Sequence, residues 1–158
     1  MDLAGSRLDH LNLPVRDLAR SVEFYETVLA PLGITTLLAV PAVPVASQKA
    51  MHAFGVHPKP FFWLVEGGRE GLSYDADTHV AFTADDRATV DAFHVAAVAA
   101  GGTTLRPPGV WAEYHADYYG AFVSDPDGVN VEAVCHVPQD PAAEASVAEA
   151  TATEVVGG

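Results

Sequence analysis

The sequence predicts an α+β fold built from two similar units in tandem, each with a strand, a helix and about three further strands. The main observation is an internal repeat: Leu8–Leu13 and Asp77–Phe82 align so that His10 falls on His79, an offset of 79 − 10 = 69. A second observation is that both copies change from strand to helix periodicity at the same place. Without a gap, the offset also matches Asp17 with Asp86, Ala19 with Ala88, Phe24 with Phe93, and Gly33 with Gly102.

The first copy begins with a half-buried strand, because Leu11, Leu13 and Val15 alternate with His10, Asn12 and Pro14. Asp17 is a suitable N-cap for the helix that follows. Its apolar face has steps of four, three and four residues, and Gly33 is a suitable left-handed stop. That face consists of Leu18, Val22, Tyr25 and Leu29, and the extended runs after it are Ile34–Val40, a segment around Ser47–Phe54, and Phe61–Val65.

The second copy repeats this order. Val80 and Phe82 lie in a strand, Asp86 caps a helix, and Gly101–Gly102 ends it. The sequence therefore predicts a single domain over residues 1–137, with modules at about 7–68 and 76–137, followed by an acidic and disordered tail at 138–158. The apolar helix face includes Val90, Phe93 and Ala97, and the extended runs are Thr103–Arg106, Tyr118–Ser124 and Val129–Cys135.

Composition and charge exclude several classes of function for this protein. The chain has 158 residues, 49% of them hydrophobic, which suits one compact domain. The net charge of 8 − 21 = −13 argues against nucleic acid and against an anionic membrane surface as partners. No apolar run approaches the ~20 residues of a spanning helix, and Met1–Arg7 does not have the pattern of a signal peptide. With Cys135 as its single cysteine, the protein is expected in a reducing compartment, the cytoplasm.

Strand alternation predicts a metal site. His10 and Asn12 point away from the helix side of the first strand, and His79 does the same in the second copy. In the last strand, Asn130 and Glu132 face the same open side as the histidines. Two imidazoles and one carboxylate that meet in a cavity suit a first-row divalent metal and leave positions for a substrate. A single histidine is more often an ordinary half-buried residue, but the repeat favours the metal site.

The offset also shows that one predicted ligand of the second copy has no equivalent carboxylate in the first. Because 132 − 69 = 63, Glu132 falls on Trp63. The sequence therefore predicts a site with three protein ligands, His10, His79 and Glu132, and with Trp63 as a wall of the pocket. An indole that packs in the core is the simpler alternative for Trp63, and the two are compatible.

These motifs together resemble the vicinal oxygen chelate superfamily, which includes glyoxalase I, extradiol ring-cleaving dioxygenases, fosfomycin-resistance transferases and bleomycin-resistance proteins. The resemblance covers about residues 7–137. It is carried by Leu8–Leu18, by Ser21–Tyr25, by Thr78–Phe82 and, most specifically, by Ala121–Glu132 with its Asp–Pro–Asp–Gly turn. It implies two βαβββ modules in tandem that form a half-open barrel around a central site.

The resemblance further implies a homodimer with one divalent ion, Fe, Ni, Zn, Mn or Co, held by His10, His79 and Glu132. Glyoxalase I usually has a second glutamate at the place of Trp63, which also serves as base, so its absence counts against ordinary glyoxalase chemistry. Extradiol dioxygenases use two histidines and one glutamate, and they place a further histidine near the position of His115. The tyrosine that they carry before the turn is Phe122 here.

The segment Tyr114–Tyr119 is rich in aromatic groups shortly before the predicted metal strand. One hypothesis makes His115 an acid or base, with Tyr118 or Tyr119 donating a hydrogen bond to bound oxygen. The alternative is an aromatic-rich strand without a catalytic role. The predicted substrate pocket is lined by Asn12, Trp63, Tyr114 and Asn130.

Three functions compete at this point. The first is a metal-dependent enzyme whose small substrate chelates the ion through vicinal oxygens; iron and dioxygen would give a dioxygenase, and the other metals a lyase or isomerase. The second is a metal-free protein of the bleomycin-resistance type that sequesters a cationic antibiotic, suggested by the net charge of −13. The third, a thiol transferase of the fosfomycin-resistance type, is least favoured because Lys and Arg are scarce.

Overall fold

The computed structural model describes residues 8–67 and 79–138. Met1–Arg7, Thr78 and all of the predicted tail except Pro138 lie outside these residues. The first unit consists of β1 (Leu11–Val15), α1 (Leu18–Leu29), β2 (Thr35–Val40), β3 (Met51–Val56) and β4 (Lys59–Glu66). The second consists of β5 (His79–Thr83), α2 (Arg87–Ala99), β6 (Thr103–Val110), β7 (Tyr119–Ser124) and β8 (Asn130–Cys135).

The strands form two four-stranded sheets with the same topology, β1-β4-β3-β2 and β5-β8-β7-β6. In each sheet the first strand runs parallel to the last, and the other neighbours are antiparallel. Asn12 pairs with Trp63, and Ala81 pairs with Glu132, so the offset of 69 residues is kept in the register of the strands. The predicted α+β fold of two βαβββ modules is confirmed. Within the described residues the two sheets share no strand pairing, so they do not close into one barrel.

Both helices begin where the sequence predicts. The Asp17 carboxylate accepts a hydrogen bond from the Arg20 N–H at 3.0 Å, and that of Asp86 accepts one from Thr89 at 2.7 Å. Each bond satisfies an N–H that has no partner within the first helical turn.

The end of α1 differs from the prediction. Gly33 does adopt a left-handed conformation, with φ of 69°, but it ends a short 3₁₀ turn, Ala30–Leu32, rather than the α-helix itself. The α-helix ends at Leu29 because Pro31 has no N–H to donate back to the preceding turn, while Ala30 between them keeps a helical conformation.

The two units share one hydrophobic core. The helices contact each other, and each packs against its own sheet. Phe62 of β4 and Phe82 of β5 meet edge to face, with ring centroids 5.3 Å apart. Helix packing thus covers one face of each sheet and leaves the opposite face for the candidate site. None of the helices in the described ranges is long and apolar enough to cross a membrane.

Candidate functional site

The open face of the second sheet carries a row of side chains from all four strands. Ala81 pairs with Glu132, Glu132 pairs with Phe122, and Phe122 pairs with Arg106. Directly paired residues project to the same face of a sheet, and His79 joins this face because it lies two residues before Ala81. The sheet therefore brings His79, Glu132 and Arg106 to one surface.

His79 and Glu132 form the centre of this surface. Glu132 is fully buried, and its Oε2 lies 3.1 Å from Nε2 of His79, whose side chain is 36% exposed. Oε2 meets the geometric criteria for a hydrogen bond with no group among the described residues, so its close contact is the imidazole of His79. A buried carboxylate oxygen with so few partners is costly, so this atom is suited to bind a ligand or an ion.

The other carboxylate oxygen of Glu132 is held by Tyr118, whose hydroxyl donates to Oε1 at 2.5 Å. Burial raises the pKa of Tyr118, and the bond to Glu132 raises it further, so the phenol keeps its proton as a donor. Burial also raises the pKa of Glu132, an effect opposed by Tyr118, His79 and Arg106. One oxygen of this carboxylate is therefore positioned by Tyr118, and the other faces His79.

Gly120 makes room for this arrangement. A Cβ atom at Gly120 would lie 3.0 Å from Oε1 of Glu132 and 3.2 Å from a ring carbon of Tyr118. Both distances are below ordinary van der Waals contact, so a larger residue would push the carboxylate and the phenol apart.

The aromatic segment before β7 is a loop, not part of a strand: the predicted strand at Tyr118–Ser124 begins one residue later, at Tyr119. The Tyr118 N–H bonds to the His115 carbonyl, and the Trp111 N–H bonds to the Tyr118 carbonyl, which folds the loop back on itself. Tyr114 packs against Tyr118, with ring centroids 4.6 Å apart and the ring planes tilted by 45°. The loop thus places an aromatic wall beside Glu132.

His115 lies in this wall but bonds to His136, with Nε2 2.9 Å from Nδ1. Its Nδ1 accepts from the Asp117 N–H at 3.2 Å, so the proton of neutral His115 is assigned to Nε2, which donates to His136. Burial lowers the pKa of His136, and the nearby His115 adds to the effect. The structure brings His115 to the rim of the site, within ring contact of Tyr118 at 5.4 Å.

Tyr119 projects to the opposite face of the sheet from Tyr118 because the two residues are adjacent in sequence. Its hydroxyl donates to Asp91 of α2 at 2.7 Å. Burial, with the bond to Asp91, raises the pKa of Tyr119 to about 12. Of the two tyrosines predicted to act at the site, the structure brings Tyr118 to Glu132 and leaves Tyr119 on the helix side.

The first sheet has a separate cavity of about 330 Å³. His10 lies there, and its Nδ1 is 2.8 Å from Oδ2 of Asp9, which also forms an ion pair with Lys59. Lys59 and His10 hold the pKa of Asp9 below its usual value. The cavity is lined by Asp9, His10, Asn12, Met51, Lys59, Pro60 and Trp63.

The predicted ligands are thus brought together only in part. Among residues 8–67 and 79–138, no three His, Cys, Asp or Glu side chains lie together as a metal site. His79 and Glu132 are adjacent, whereas His10 lies in the first-sheet cavity with Asn12 and Trp63. Asn130 pairs with His79 across the strands, and its side-chain oxygen is buried without a hydrogen-bond partner among the described residues.

Sequence analysis missed Arg106, whose guanidinium lies over the rings of Trp111 at 4.6 Å and Phe122 at 5.6 Å. Strand alternation could not assign its face, because β6 has irregular register on both sides of Arg106. The available signal was its charge: the chain has only 8 Lys and Arg residues, so each cation is a candidate for binding an anion.

Comparison with known proteins agrees with this architecture. The model of the Glyoxalase family, described as the Glyoxalase/Bleomycin resistance protein/Dioxygenase superfamily, matches residues 7–133. No curated protein matches the chain. Among solved structures, a glyoxalase/bleomycin resistance protein from Albidiferax ferrireducens is similar with a TM-score of 0.69 and 27% identity, over 82% of this chain and 99% of that one.

Two further structures show the same fold. A V278E mutant of glyoxalase I from Zea mays has a TM-score of 0.61 and 25% identity, over 85% of this chain and 46% of that one. The fosfomycin resistance protein FosX from Listeria monocytogenes, solved with Mn(II) and sulfate, has a TM-score of 0.61 and 18% identity, over 85% of this chain and 94% of that one. With a family match over most of its length, the chain belongs to the Glyoxalase/Bleomycin resistance protein/Dioxygenase superfamily.

Proposed function

We propose that this protein is a divalent-metal-dependent cytoplasmic enzyme, a lyase or isomerase or an extradiol-type dioxygenase. Its substrate is a small molecule that binds the ion through two vicinal oxygens. The observation that carries the proposal is the pair of His79 Nε2 and Glu132 Oε2, 3.1 Å apart, with Oε2 buried and without a hydrogen bond. Family membership supports enzymatic chemistry without choosing among these reactions.

The spacing of the two atoms fits adjacent ligands of one ion. Metal–nitrogen and metal–oxygen bonds to His and carboxylate are about 2.1 Å, so two ligands at a right angle lie about 3.0 Å apart. The donor set, one imidazole and one carboxylate, suits Zn, Fe, Ni, Mn or Co. A direct ion pair between His79 and Glu132 explains the same distance, and the metal content of the variants below distinguishes the two.

Each neighbouring side chain then has a definite role. Tyr118 orients Glu132 through Oε1 and leaves Oε2 for the ion. Asn130 offers a buried carbonyl oxygen beside His79, which can accept a hydrogen bond from a substrate hydroxyl. When bound, the ion supplies a Lewis acid that polarises the two vicinal oxygens. The buried Phe122 helps to exclude water from the site.

His115 and His136 can hold a proton during the reaction. In the neutral pair, Nδ1 of His115 and Nδ1 of His136 each already accept a hydrogen bond. A proton from a substrate must therefore replace one of these bonds, and the longer one is that of the Asp117 N–H to Nδ1 of His115, at 3.2 Å. We assign His115 as the candidate acid and base because of this long bond and its ring contact with Tyr118.

His10 completes the metal site from a second copy of the chain. In this proposal His10 of one protomer meets His79 and Glu132 of its partner, and Asn12 and Trp63 line the same pocket. The placement of His10 in the first-sheet cavity supports a shared site, and so do β1 and β5, which are both edge strands. Edge strands have unpaired backbone groups that a second copy can satisfy. The shared site predicts a homodimer.

The test is elemental metal analysis of protein purified without chelator and without oxygen, then reconstituted with Mn(II) or Fe(II). The wild type should hold about one ion per chain, and His79→Ala, Glu132→Gln and His10→Ala should each lose it. His94→Ala is a matched control, because His94 lies on α2 and bonds to Thr104. Full metal content in Glu132→Gln would refute the proposed site.

A mixture of two inactive variants tests whether the site is shared. In a dimer of His10→Ala with Glu132→Gln, one of the two shared sites has all three ligands. Refolding the variants together should restore about one quarter of the wild-type metal content, since half of the dimers are mixed. A site within one chain would restore none.

The competing function, capture of a cationic antibiotic without a metal, has the net charge of −13 and the Asp9–Trp63 cavity in its favour. Lys59 in that cavity and Arg106 beside Glu132 count against it, because both would repel a cation. Calorimetry with a basic glycopeptide antibiotic and metal-free protein distinguishes the two functions: binding that metal leaves unchanged would favour capture.

A further inference from the structure

We propose that Arg106 is the anion-binding group of this site, so the natural substrate carries a carboxylate or a similar anionic group beside its two vicinal oxygens. This inference rests on the proposed function and extends it to the class of substrate.

Arg106 lies close enough to His79 and Glu132 for a small substrate to contact all three residues. Arg106, Phe122 and Glu132 are consecutive partners across three strands. Two strand spacings separate the backbones of Arg106 and Glu132 by about 10 Å. The guanidinium extends back over the Phe122 ring, 5.6 Å from its centroid, and His79 contacts the same ring at 5.9 Å. A small substrate bound at His79 and Glu132 can therefore reach Arg106 across Phe122.

Aromatic groups hold the guanidinium in place. It lies 4.6 Å from the centroid of Trp111, whose indole N–H donates to the Gly120 carbonyl at 2.8 Å. Stacking fixes the plane of the guanidinium but leaves its edges available for hydrogen bonds. The side chain remains 42% exposed, so a ligand can approach it.

The carboxylate of Glu113 already binds the guanidinium of Arg106. Nη1 of Arg106 donates to Oε1 of Glu113 at 2.9 Å, the one side-chain hydrogen bond of Arg106 found in the described part of the chain. A guanidinium has five N–H donors, so most of its capacity remains. Glu113 is on the exposed loop before β7 and is itself 53% exposed, so water can replace it when a substrate anion binds.

The test compares ligands that share the vicinal oxygens and differ in the anion. Catechol has the two oxygens alone, whereas 2,3- and 3,4-dihydroxybenzoate add a carboxylate at two distances. Dissociation constants are measured by calorimetry with the Mn(II)-loaded full chain, without oxygen. We expect the better of the two acids to bind wild type at least about tenfold more tightly than catechol.

Arg106→Gln should abolish this preference, so that the acid and catechol bind the variant with affinities within about twofold of each other. Arg20→Gln, which removes an equal charge from the exposed side of α1, should keep the preference. Glu113→Gln should strengthen binding of the preferred acid, because the carboxylate that competes for Arg106 is gone.

The outcomes separate the two proposals. If wild type binds catechol but prefers neither acid, or if Arg106→Gln retains the preference, the role of Arg106 is refuted while the metal site stands. If wild type takes up Mn(II) but binds neither catechol nor the acids, chelation of vicinal oxygens is wrong, and the inference on Arg106 falls with it.

Discussion

The Tyr25 hydroxyl donates a hydrogen bond to Oδ2 of Asp125 at 2.9 Å, between residues 100 positions apart in the sequence. Tyr25 is on α1 in the first unit and is fully buried, and Asp125 begins the turn before β8 in the second unit. Oδ1 of the same carboxylate accepts from the N–H groups of Asp127 and Val129. One buried carboxylate thus forms the turn that leads to Glu132 and ties it to the other unit.

Tyr25→Phe should destabilise the fold, because it leaves Oδ2 of Asp125 buried without its donor. The expected loss in the free energy of unfolding is about 1–3 kcal/mol, measured by urea denaturation. Tyr114→Phe is the matched control, since the Tyr114 side chain is exposed, and it should change stability by less than about 0.5 kcal/mol. Equal stability of the two variants would contradict the structural role of the Tyr25 bond.

Asp125→Asn should change the pH dependence of stability. Burial raises the pKa of Asp125, although the Val129, Tyr25 and Asp127 donors oppose the shift. The folded state therefore holds the Asp125 proton more tightly than the unfolded state does. This contribution to stability is fully present below the unfolded pKa of about 4 and is lost as pH rises through the folded pKa.

Asparagine does not ionise, so the stability of Asp125→Asn relative to wild type should increase as pH rises from about 4. Thermal melting of both proteins between pH 3 and 8 measures this difference. A difference that does not vary with pH, or one that decreases, would show that the donors outweigh burial at this carboxylate.

Tyr118→Phe should weaken metal binding without unfolding the protein. The hydroxyl holds Oε1 of Glu132 at 2.5 Å, and loss of such an outer partner lowers metal affinity about tenfold or more. Competition with a chelator gives the affinity for Mn(II). Tyr119→Phe removes the neighbouring hydroxyl, which bonds to Asp91 on the helix side of β7, and should leave that affinity unchanged. Equal Mn(II) affinity of Tyr118→Phe and Tyr119→Phe would contradict the proposed role of Tyr118.

Gly120→Ala should also weaken metal binding, but for a steric reason. The added Cβ would lie 3.0 Å from Oε1 of Glu132, so the carboxylate must shift. We expect at least about a tenfold loss of Mn(II) affinity. Gly109→Ala is the control, because its Cβ would meet only the Pro107 carbonyl, at 3.9 Å. Wild-type affinity in Gly120→Ala would mean that Glu132 is not tightly positioned.

The fold and half of the candidate site could be predicted from the sequence because they depend on local periodicity. The repeat offset of 69 residues reappears in the pairing of Asn12 with Trp63 and of Ala81 with Glu132. Alternation along β5 and β8 was sufficient to put His79 and Glu132 on one face, since adjacent residues of a strand point to opposite sides. Assigning these two side chains to that face required no knowledge of the rest of the molecule.

The remaining features depend on groups that are distant in sequence or lie outside regular strands. The sequence does not show whether Tyr118 or Tyr119 faces Glu132, because that depends on where β7 begins. The bond of His115 to His136 depends on how a loop folds back, and the position of Arg106 depends on an irregular strand.

By itself, the sequence determined the two βαβββ units, their helix caps and the open faces that carry His10, His79 and Glu132, because capping and strand alternation act over a few residues. Only the tertiary structure decided which of these groups meet. It joined His79 to Glu132 and Tyr118, and it left His10 with Trp63 in a cavity of the other sheet. The physical reason is that local periodicity assigns a face to each side chain, whereas the pairing of strands into two sheets decides which side chains on those faces lie side by side.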